Sequence, residues 1–182
     1  DTETLVGEAL KVCESGMKVL DLCTGSGCVI ISLQKNAPGI VATASDISKQ
    51  ALLVAKENGK MHEADVEWVR SDLFDNIAST YDLIVSNPPY IPTSTISELM
   101  PEVRDFEPFD ALDGREDGLY FYREIVEKSR EYLNQGGYLF FEIGCDQGEA
   151  VSSLMEENGF AEVEIIKDLS HLDRVVKGKK YV

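Results

Sequence analysis

Along the chain, short apolar runs of strand length are separated by longer stretches with helical spacing. Lys18 to Cys23 is a short buried-strand run in which Val19, Leu20 and Leu22 are apolar. A Gly/Ser/Thr loop follows at Thr24 to Gly27, and Cys28 to Asn36 predicts a short helix ended by Pro38-Gly39. Ile40 to Ser45 is β-prone and stops at Asp46. Ser48 can cap a helix that runs to about Asn58, with Gly59 where glycine commonly ends helices. Val66 to Arg70 and Tyr81 to Ser86 predict two more strands. The unbroken run Leu83-Ile84-Val85 suits a strand covered on both faces.

Ile91 to Gly118 has no regular period and holds Pro92, Pro101, Pro108 and many acidic residues. A loop that long inside a compact domain usually has a function or a missing partner. Leu119 to Leu133 regains helical spacing through Tyr122, Ile125, Val126 and Leu133, and Gly136-Gly137 is expected to break it. Tyr138 to Ile143 predicts a strand with Phe140 and Phe141 on opposite faces. Glu149 to Glu157 predicts a helix, Ala161 to Ile166 a strand, and Arg174-Val175-Val176 opens a last strand. Repeated strand–helix units imply an α/β fold, a mostly parallel sheet with helices on both faces and right-handed connections. In such sheets ligands bind at the carboxyl ends of the strands, where strand order reverses. The loops after Leu22, Ser45, Arg70 and Val85 should therefore meet at one edge.

Composition narrows this picture. The 182 residues are 43% hydrophobic and 27% charged, in one compositional regime. That indicates one folded domain and excludes a disordered or collagenous chain. No run approaches the roughly 20 apolar residues of a membrane span, and the opening Asp1-Thr2-Glu3-Thr4 is no signal sequence. It also lacks an initiator Met, as a piece of a longer chain would. The 17 basic and 33 acidic residues leave a net charge of -16. Such a field repels nucleic-acid phosphates and suits a basic protein partner or a cationic small molecule. Cys13, Cys23, Cys28 and Cys145 form no Cys-x-x-Cys pair, and only His62 and His171 accompany them, so no metal site is expected. Reduced thiols in a cytoplasmic protein are the expectation.

Four strand-end constellations carry the chemistry. In Asp21-Leu22-Cys23-Thr24-Gly25-Ser26-Gly27, Gly25 and Gly27 permit a tight turn and close approach of backbone to ligand. The loop feeds a helix N-terminus that favours an anion. It is also compatible with an ordinary strand-to-helix turn. Ile30 occupies the third glycine position of the dinucleotide fingerprint and no Walker lysine is present, which argues against a nicotinamide dehydrogenase and against an NTPase. Asp46, 19 residues beyond Gly27, can accept from both hydroxyls of a ribose, or simply cap the next helix. Asp72 can accept from an adenine amino group, with Leu73 placing apolar surface or a backbone N–H against the ring. Trp68 belongs either to the core or beside that ring.

Asn87-Pro88-Pro89-Tyr90 is the most specific element. Two prolines remove two backbone donors and leave carbonyls, and Asn87 adds a side-chain acceptor. The pocket suits an NH2 group with two protons to donate. Tyr90 brings a flat face that can lie against a planar group. A strand-ending turn would use the same residue types, but would not explain the three companion elements.

These motifs resemble class I S-adenosylmethionine-dependent methyltransferases of the Asn-Pro-Pro-Tyr type. More narrowly, the chain resembles the HemK/PrmC family of protein-glutamine N5-methyltransferases, which modify peptide chain release factors. The resemblance spans the chain. It includes Asp1 to Val6, then Glu107-Pro108, Ala111-Leu112, Gly114 and Asp117-Gly118-Leu119, and finally Arg174 to Gly178. It implies a Rossmann-like seven-stranded sheet with an antiparallel C-terminal strand. It also implies S-adenosylmethionine held by Asp21, Cys23, Thr24, Gly25, Ser26, Gly27, Asp46, Asp72, Leu73 and Asn87. The acceptor glutamine would be held by Asn87, Pro88, Pro89 and Tyr90, with Asn87, Pro88 and Tyr90 catalytic. The implied partner is a release factor, carrying its glutamine in a Gly-Gly-Gln motif. Residues 1–182 would be the catalytic domain, without the family's N-terminal helical docking domain. Cys23 replaces a glycine of the general loop, which is tolerable with a negative φ. A ribosomal-protein glutamine and a DNA adenine amino group are alternative acceptors. The second needs a basic face that a charge of -16 disfavours. A cofactor-binding assembly partner without catalysis is a further alternative.

Overall fold

The computed structural model describes residues 1–181; Val182 lies outside the described residues. Its apolar runs become strands β1 (Lys18–Leu22), β2 (Val41–Asp46), β3 (Val66–Arg70), β4 (Tyr81–Ser86), β5 (Leu133–Glu142), β6 (Phe160–Lys167) and β7 (Asp173–Lys180). They form one sheet ordered β3-β2-β1-β4-β5-β7-β6. Only β7 runs against its neighbours, β5 and β6; the pairs from β3 across to β5 are parallel. The helices are α1 (Thr2–Leu10), α2 (Cys28–Asn36), α3 (Lys49–Met61), α4 (Pro101–Arg104), α5 (Phe109–Leu112), α6 (Tyr120–Tyr132) and α7 (Gly148–Glu157).

Strand alternation divides the interior into two cores. On one face Leu5 and Ala9 of α1 and Val29, Ile30 and Leu33 of α2 pack with Leu83, Val85, Phe140 and Val175. On the other, Tyr122, Ile125 and Val126 of α6 and Val151 and Met155 of α7 pack with Leu20, Ile84, Leu139, Phe141 and Val176. Leu83, Ile84 and Val85 are all fully buried, as expected of a strand covered on both sides. Phe140 and Phe141 do face opposite cores. Each such side chain contributes about 1.5–3 kcal/mol by leaving water. Trp68 packs with the first core; a Cβ on Gly27 or on Gly59 would lie 2.9 Å from its ring.

Three local expectations are corrected. Gly59 does not end α3, which continues to Met61; Gly59 is where the helix presses against the Trp68 ring. Gly136-Gly137 does not terminate α6. The helix stops at Tyr132, and β5 begins at once with Leu133 beside Tyr81 and Tyr138 beside Leu83, so the glycines form a bulge with Gly136 at φ 76°. A side chain at Gly137 would lie 3.1 Å from the Asp82 carbonyl. The segment between β4 and α6 is not wholly irregular; it contains a 3₁₀ turn (Thr93–Glu98), α4 and α5. Helix α1 was not predicted from periodicity. Its seat is tertiary, with Leu5 and Ala9 buried against the sheet.

Strand order reverses between β1 and β4, so their carboxyl ends open a crevice. Leu22 pairs with Ser86, and the Ser86 hydroxyl donates to the Leu22 carbonyl at 2.8 Å.

Candidate active site at the strand-end crevice

The loop after β1 is held from beneath. Thr24 N–H donates to the Ser45 carbonyl (3.0 Å), and Thr24 Oγ1 donates to Asp21 Oδ2 (2.6 Å). Gly25 N–H donates to Asp46 Oδ2 (2.9 Å), while the other Asp46 oxygen accepts from Ser48 N–H (2.8 Å). Asp46 thus ties the glycine loop to the start of α3, but the helix cap itself is Ser48, whose hydroxyl oxygen accepts from Ala51 N–H. Both Asp46 oxygens keep a free lone pair for a diol. Asn58 on α3 donates to the Ser26 carbonyl at 2.9 Å.

The glycines have different tasks. A side chain at Gly25 would meet nothing within 4 Å, so its backbone borders open crevice. Gly27, at φ 81°, N-caps α2 where a Cβ would press on Trp68, Ile31 and Ala55. Cys23 departs from expectation, with φ 58° rather than negative. The β1–α2 turn demands a left-handed residue there, which costs a non-glycine residue about 1–2 kcal/mol. Desolvation and the Asp46 and Asp21 carboxylates push its thiol up to about 12, so Cys23 stays protonated. Asp72 is exposed at the end of β3. Leu73, at φ 44°, packs partly against the second core. Ile47, beside Asp46, is 57% exposed, an apolar surface on the crevice side that sequence reading missed.

Asp21 is buried, and desolvation pushes its carboxyl up to about 7 against the pull of the Thr24 hydroxyl and the Ile30 amide. Its folded value exceeds its ordinary one, so its contribution to stability is complete below about pH 4 and fades as pH rises to 7. Removing that titration in Asp21→Asn should therefore matter more at higher pH. In urea titrations the stability of D21N relative to the parent should rise by about 2 kcal/mol between pH 5 and 7. A pH-independent difference would refute the buried-acid assignment.

Asn87-Pro88-Pro89-Tyr90 continues directly from β4, so Asn87 stands across the switch point from Cys23. A clasp holds the box. Gln147, buried at the start of α7, donates from Nε2 to the Tyr90 carbonyl (2.9 Å) and to the Gly118 carbonyl (3.3 Å). Its Oε1 accepts from Gly144 N–H (2.9 Å) and the Tyr122 hydroxyl (3.4 Å). The long loop returns beneath the same residue. Ile91 N–H donates to the Leu112 carbonyl, and Gly114 N–H to the Ile91 carbonyl. Asp113, buried, accepts from Thr93 Oγ1 and from Arg115. A Cβ on Gly114 would lie 2.7 Å from the Tyr90 backbone, and one on Gly118 would overlap the Tyr90 carbonyl. The loop thus braces Tyr90. Gly118→Ala adds a Cβ at φ 74° and should cost about 1–3 kcal/mol of stability. Urea titration of the variant against the parent measures that loss.

Beyond Tyr90 lies a cavity of about 440 Å³, bordered by Pro92, Asp117, Leu119, Cys145 and Gln147. Burial pushes the Tyr90 phenol above its ordinary range, so it stays neutral at physiological pH. The sequence reading missed Gln147 and Glu142. A signal for the second existed, since Glu142 interrupts the apolar run Phe140-Phe141-Glu142-Ile143. Among the described residues, no group of three potential ligands could hold a metal ion. The four cysteines are free thiols. Glu107 is exposed on the loop.

Comparison with known proteins bears on this arrangement. Residues 2–100 match the family model described as "Methyltransferase small domain". A release factor glutamine methyltransferase of Geobacter sulfurreducens is 43% identical over 98% of this chain. A solved structure from Alicyclobacillus acidocaldarius, described as a release factor-specific protein-(glutamine-N5) methyltransferase, is 30% identical, with a TM-score of 0.59. It is matched over all of this chain and 92% of its own. The chain belongs to the release factor glutamine methyltransferase family. A methyltransferase of Pyrococcus furiosus, 16% identical, matches the fold over 98% of this chain and 84% of its own, with a TM-score of 0.73. The chain spans 63% of the Geobacter relative's length. The four strand-end loops singled out by sequence lie at the same edge of the sheet, because β3, β2, β1 and β4 are adjacent and parallel, and no helix of the described residues is long and apolar enough to cross a membrane.

Proposed function

We propose that this chain binds S-adenosylmethionine over the ends of β1 to β4 and transfers its methyl group to the side-chain nitrogen of a protein glutamine. The observation carrying this reading is the Asn87–Tyr90 box, an acceptor-rich rim beside the switch-point crevice, braced by Gln147 and Gly118. The crevice fits the cofactor. Gly25 leaves room for a ligand against its backbone, Asp46 keeps free lone pairs for the ribose, and Asp72, Leu73 and Ile47 surround the place for the adenine.

The bound cofactor supplies an electrophilic sulfonium methyl. The chain's task is the nucleophile, since an amide nitrogen shares its lone pair with its carbonyl. Asn87 Oδ1 and the Pro88 carbonyl each accept one N–H of the glutamine amide, which turns the lone pair toward the methyl and stabilises the positive charge developing on nitrogen. Transfer would form a nitrogen–carbon bond as the cofactor's sulfur–carbon bond breaks, and the nitrogen would then lose a proton to water. No histidine base is needed. Tyr90 packs against the amide plane, and the cavity beyond it admits the flanking peptide.

A release factor is the acceptor we infer, with Gly-Gly-Gln as its motif. Glycines beside the glutamine leave the main chain slim enough to enter beside Tyr90. This acceptor agrees with the net charge of -16, which favours a basic protein loop and disfavours DNA. A cytoplasmic setting follows from such a substrate and suits four free thiols. The test is incubation with S-adenosylmethionine and release factor, followed by mass mapping of the modified residue. A gain of one methyl on the Gly-Gly-Gln glutamine is expected. Methyl transfer to a ribosomal protein or to adenine in DNA instead would overturn the acceptor assignment, and no transfer from full-length protein would overturn the activity.

A further inference from the structure

Glu142 ends β5 with a carboxylate that is 4% exposed, and its Oε2 has no hydrogen-bond partner. An orphan acceptor at such depth is costly and calls for an explanation. Its backbone is fixed, because the Tyr122 hydroxyl donates to the Glu142 carbonyl at 2.9 Å. Arg174, a cationic side chain that acts on this carboxylate, places its own donors on Asp168, on the Ile143 carbonyl and beside Asp1.

Strand register identifies the neighbour. Ser86 pairs with Phe141 in the parallel β4–β5 ladder, so Asn87 and Glu142 stand side by side one step further on. Phe141 faces the second core, which sends Glu142, like Phe140, toward the opposite side. Burial pushes the Glu142 carboxyl up, and Thr2, Arg174, the amino terminus and, least of these, Asn87 pull it back.

We infer that Glu142 is a positioning residue that sets which way the Asn87 amide points. The inference rests on the reading of Asn87 given above. A carboxylate only accepts, so it can face the Asn87 NH2 but not its oxygen. The two ends of an asparagine amide have nearly the same shape, and neighbouring groups alone choose between them. With Nδ2 turned to Glu142, Oδ1 is presented to the incoming glutamine amide. With the amide reversed, two NH2 groups would meet and the acceptor could not dock. Thr2 also borders the carboxylate, but a hydroxyl both donates and accepts and imposes no direction on Asn87.

A charge swap tests this. Glu142→Ala should lower kcat/KM for a Gly-Gly-Gln peptide at least thirtyfold, with S-adenosylhomocysteine affinity within threefold of the parent. Asn87→Asp sets two carboxylates against each other and should lower turnover at least a hundredfold. N87D/E142Q restores a donor facing an acceptor and should recover at least tenfold over N87D. A double variant no better than N87D, or an E142A protein with parental kcat/KM, overturns the inference. If E142A fails to fold, the N87D and N87D/E142Q pair still decides. A second measurement needs no methyl transfer. In ¹⁵N-labelled full-length protein the Asn87 side-chain NH2 signal, assigned by its loss in N87A, should exchange with solvent at least tenfold faster in E142M, which keeps the length of the side chain and removes its carboxylate acceptor. Equal exchange overturns the orienting contact. A parent enzyme silent on every glutamine peptide would overturn the activity assignment instead, leaving the exchange result to judge Glu142.

Discussion

Asn87→Ala should lower methyl transfer by about 10²–10³-fold, the range seen when one preorganised hydrogen-bonding group at a reacting centre is removed. Cofactor affinity should change by no more than about threefold. The asymmetry follows from position. Asn87 follows the last residue of β4, on the acceptor side of the crevice, while the loop and carboxylate assigned to the cofactor hold one another through Gly25 and Asp46. Without the side chain, one N–H of the glutamine amide has only water to bind, and the amide is free to lie in the conjugated orientation that makes its nitrogen a poor nucleophile. Steady-state kinetics with a Gly-Gly-Gln peptide and calorimetry with S-adenosylhomocysteine, on the same preparation, give both quantities. Equal losses in the two would contradict the assigned role.

Asp46→Ala should act in the opposite order, weakening cofactor binding by about 100-fold. Charge-assisted hydrogen bonds to a diol contribute about 1.5–3 kcal/mol each, and one such bond at the upper end accounts for that factor. The structure adds a second route to the same loss. Asp46 also accepts from Gly25 N–H and Ser48 N–H, so its removal unties the glycine loop from α3. Asp46→Asn keeps one acceptor oxygen and should fall between the parent and D46A. At saturating cofactor, turnover of D46A should return to within about fivefold of the parent, since nothing on the acceptor side is altered. Unchanged affinity in D46A would remove the ribose assignment, and a turnover defect that saturation cannot repair would move Asp46 into the acceptor machinery.

Much of the proposed site was legible because its residue types are demanding at a fixed place. Paired glycines after an apolar strand, an aspartate ending the next strand, and Asn-Pro-Pro-Tyr after the fourth each restrict backbone or hydrogen bonding in a way few other uses require. The supporting parts were not legible. Gln147 has no local pattern, and its four hydrogen bonds join Tyr90, Gly118, Gly144 and Tyr122, which only the fold brings together. Gly59 and Gly136-Gly137 were misread for a related reason. A glycine that ends an element locally and a glycine that lets a ring or another strand come close look the same in a sequence. Cys23 shows the limit from the other side, because its left-handed φ is set by the β1–α2 turn rather than by its own preference.

By itself, the order of residues determined the strands, most helices, the two-faced burial of β4 and β5 and the strand-end placement of the proposed site, because these depend on period and on local backbone restriction. Tertiary structure alone decided the sheet order, the bracing of Tyr90 by Gly114, Gly118 and Gln147, and the placing of Glu142 beside Asn87. Those features join residues tens of positions apart, and a contact between distant segments has no energy that either segment can display until packing makes them neighbours.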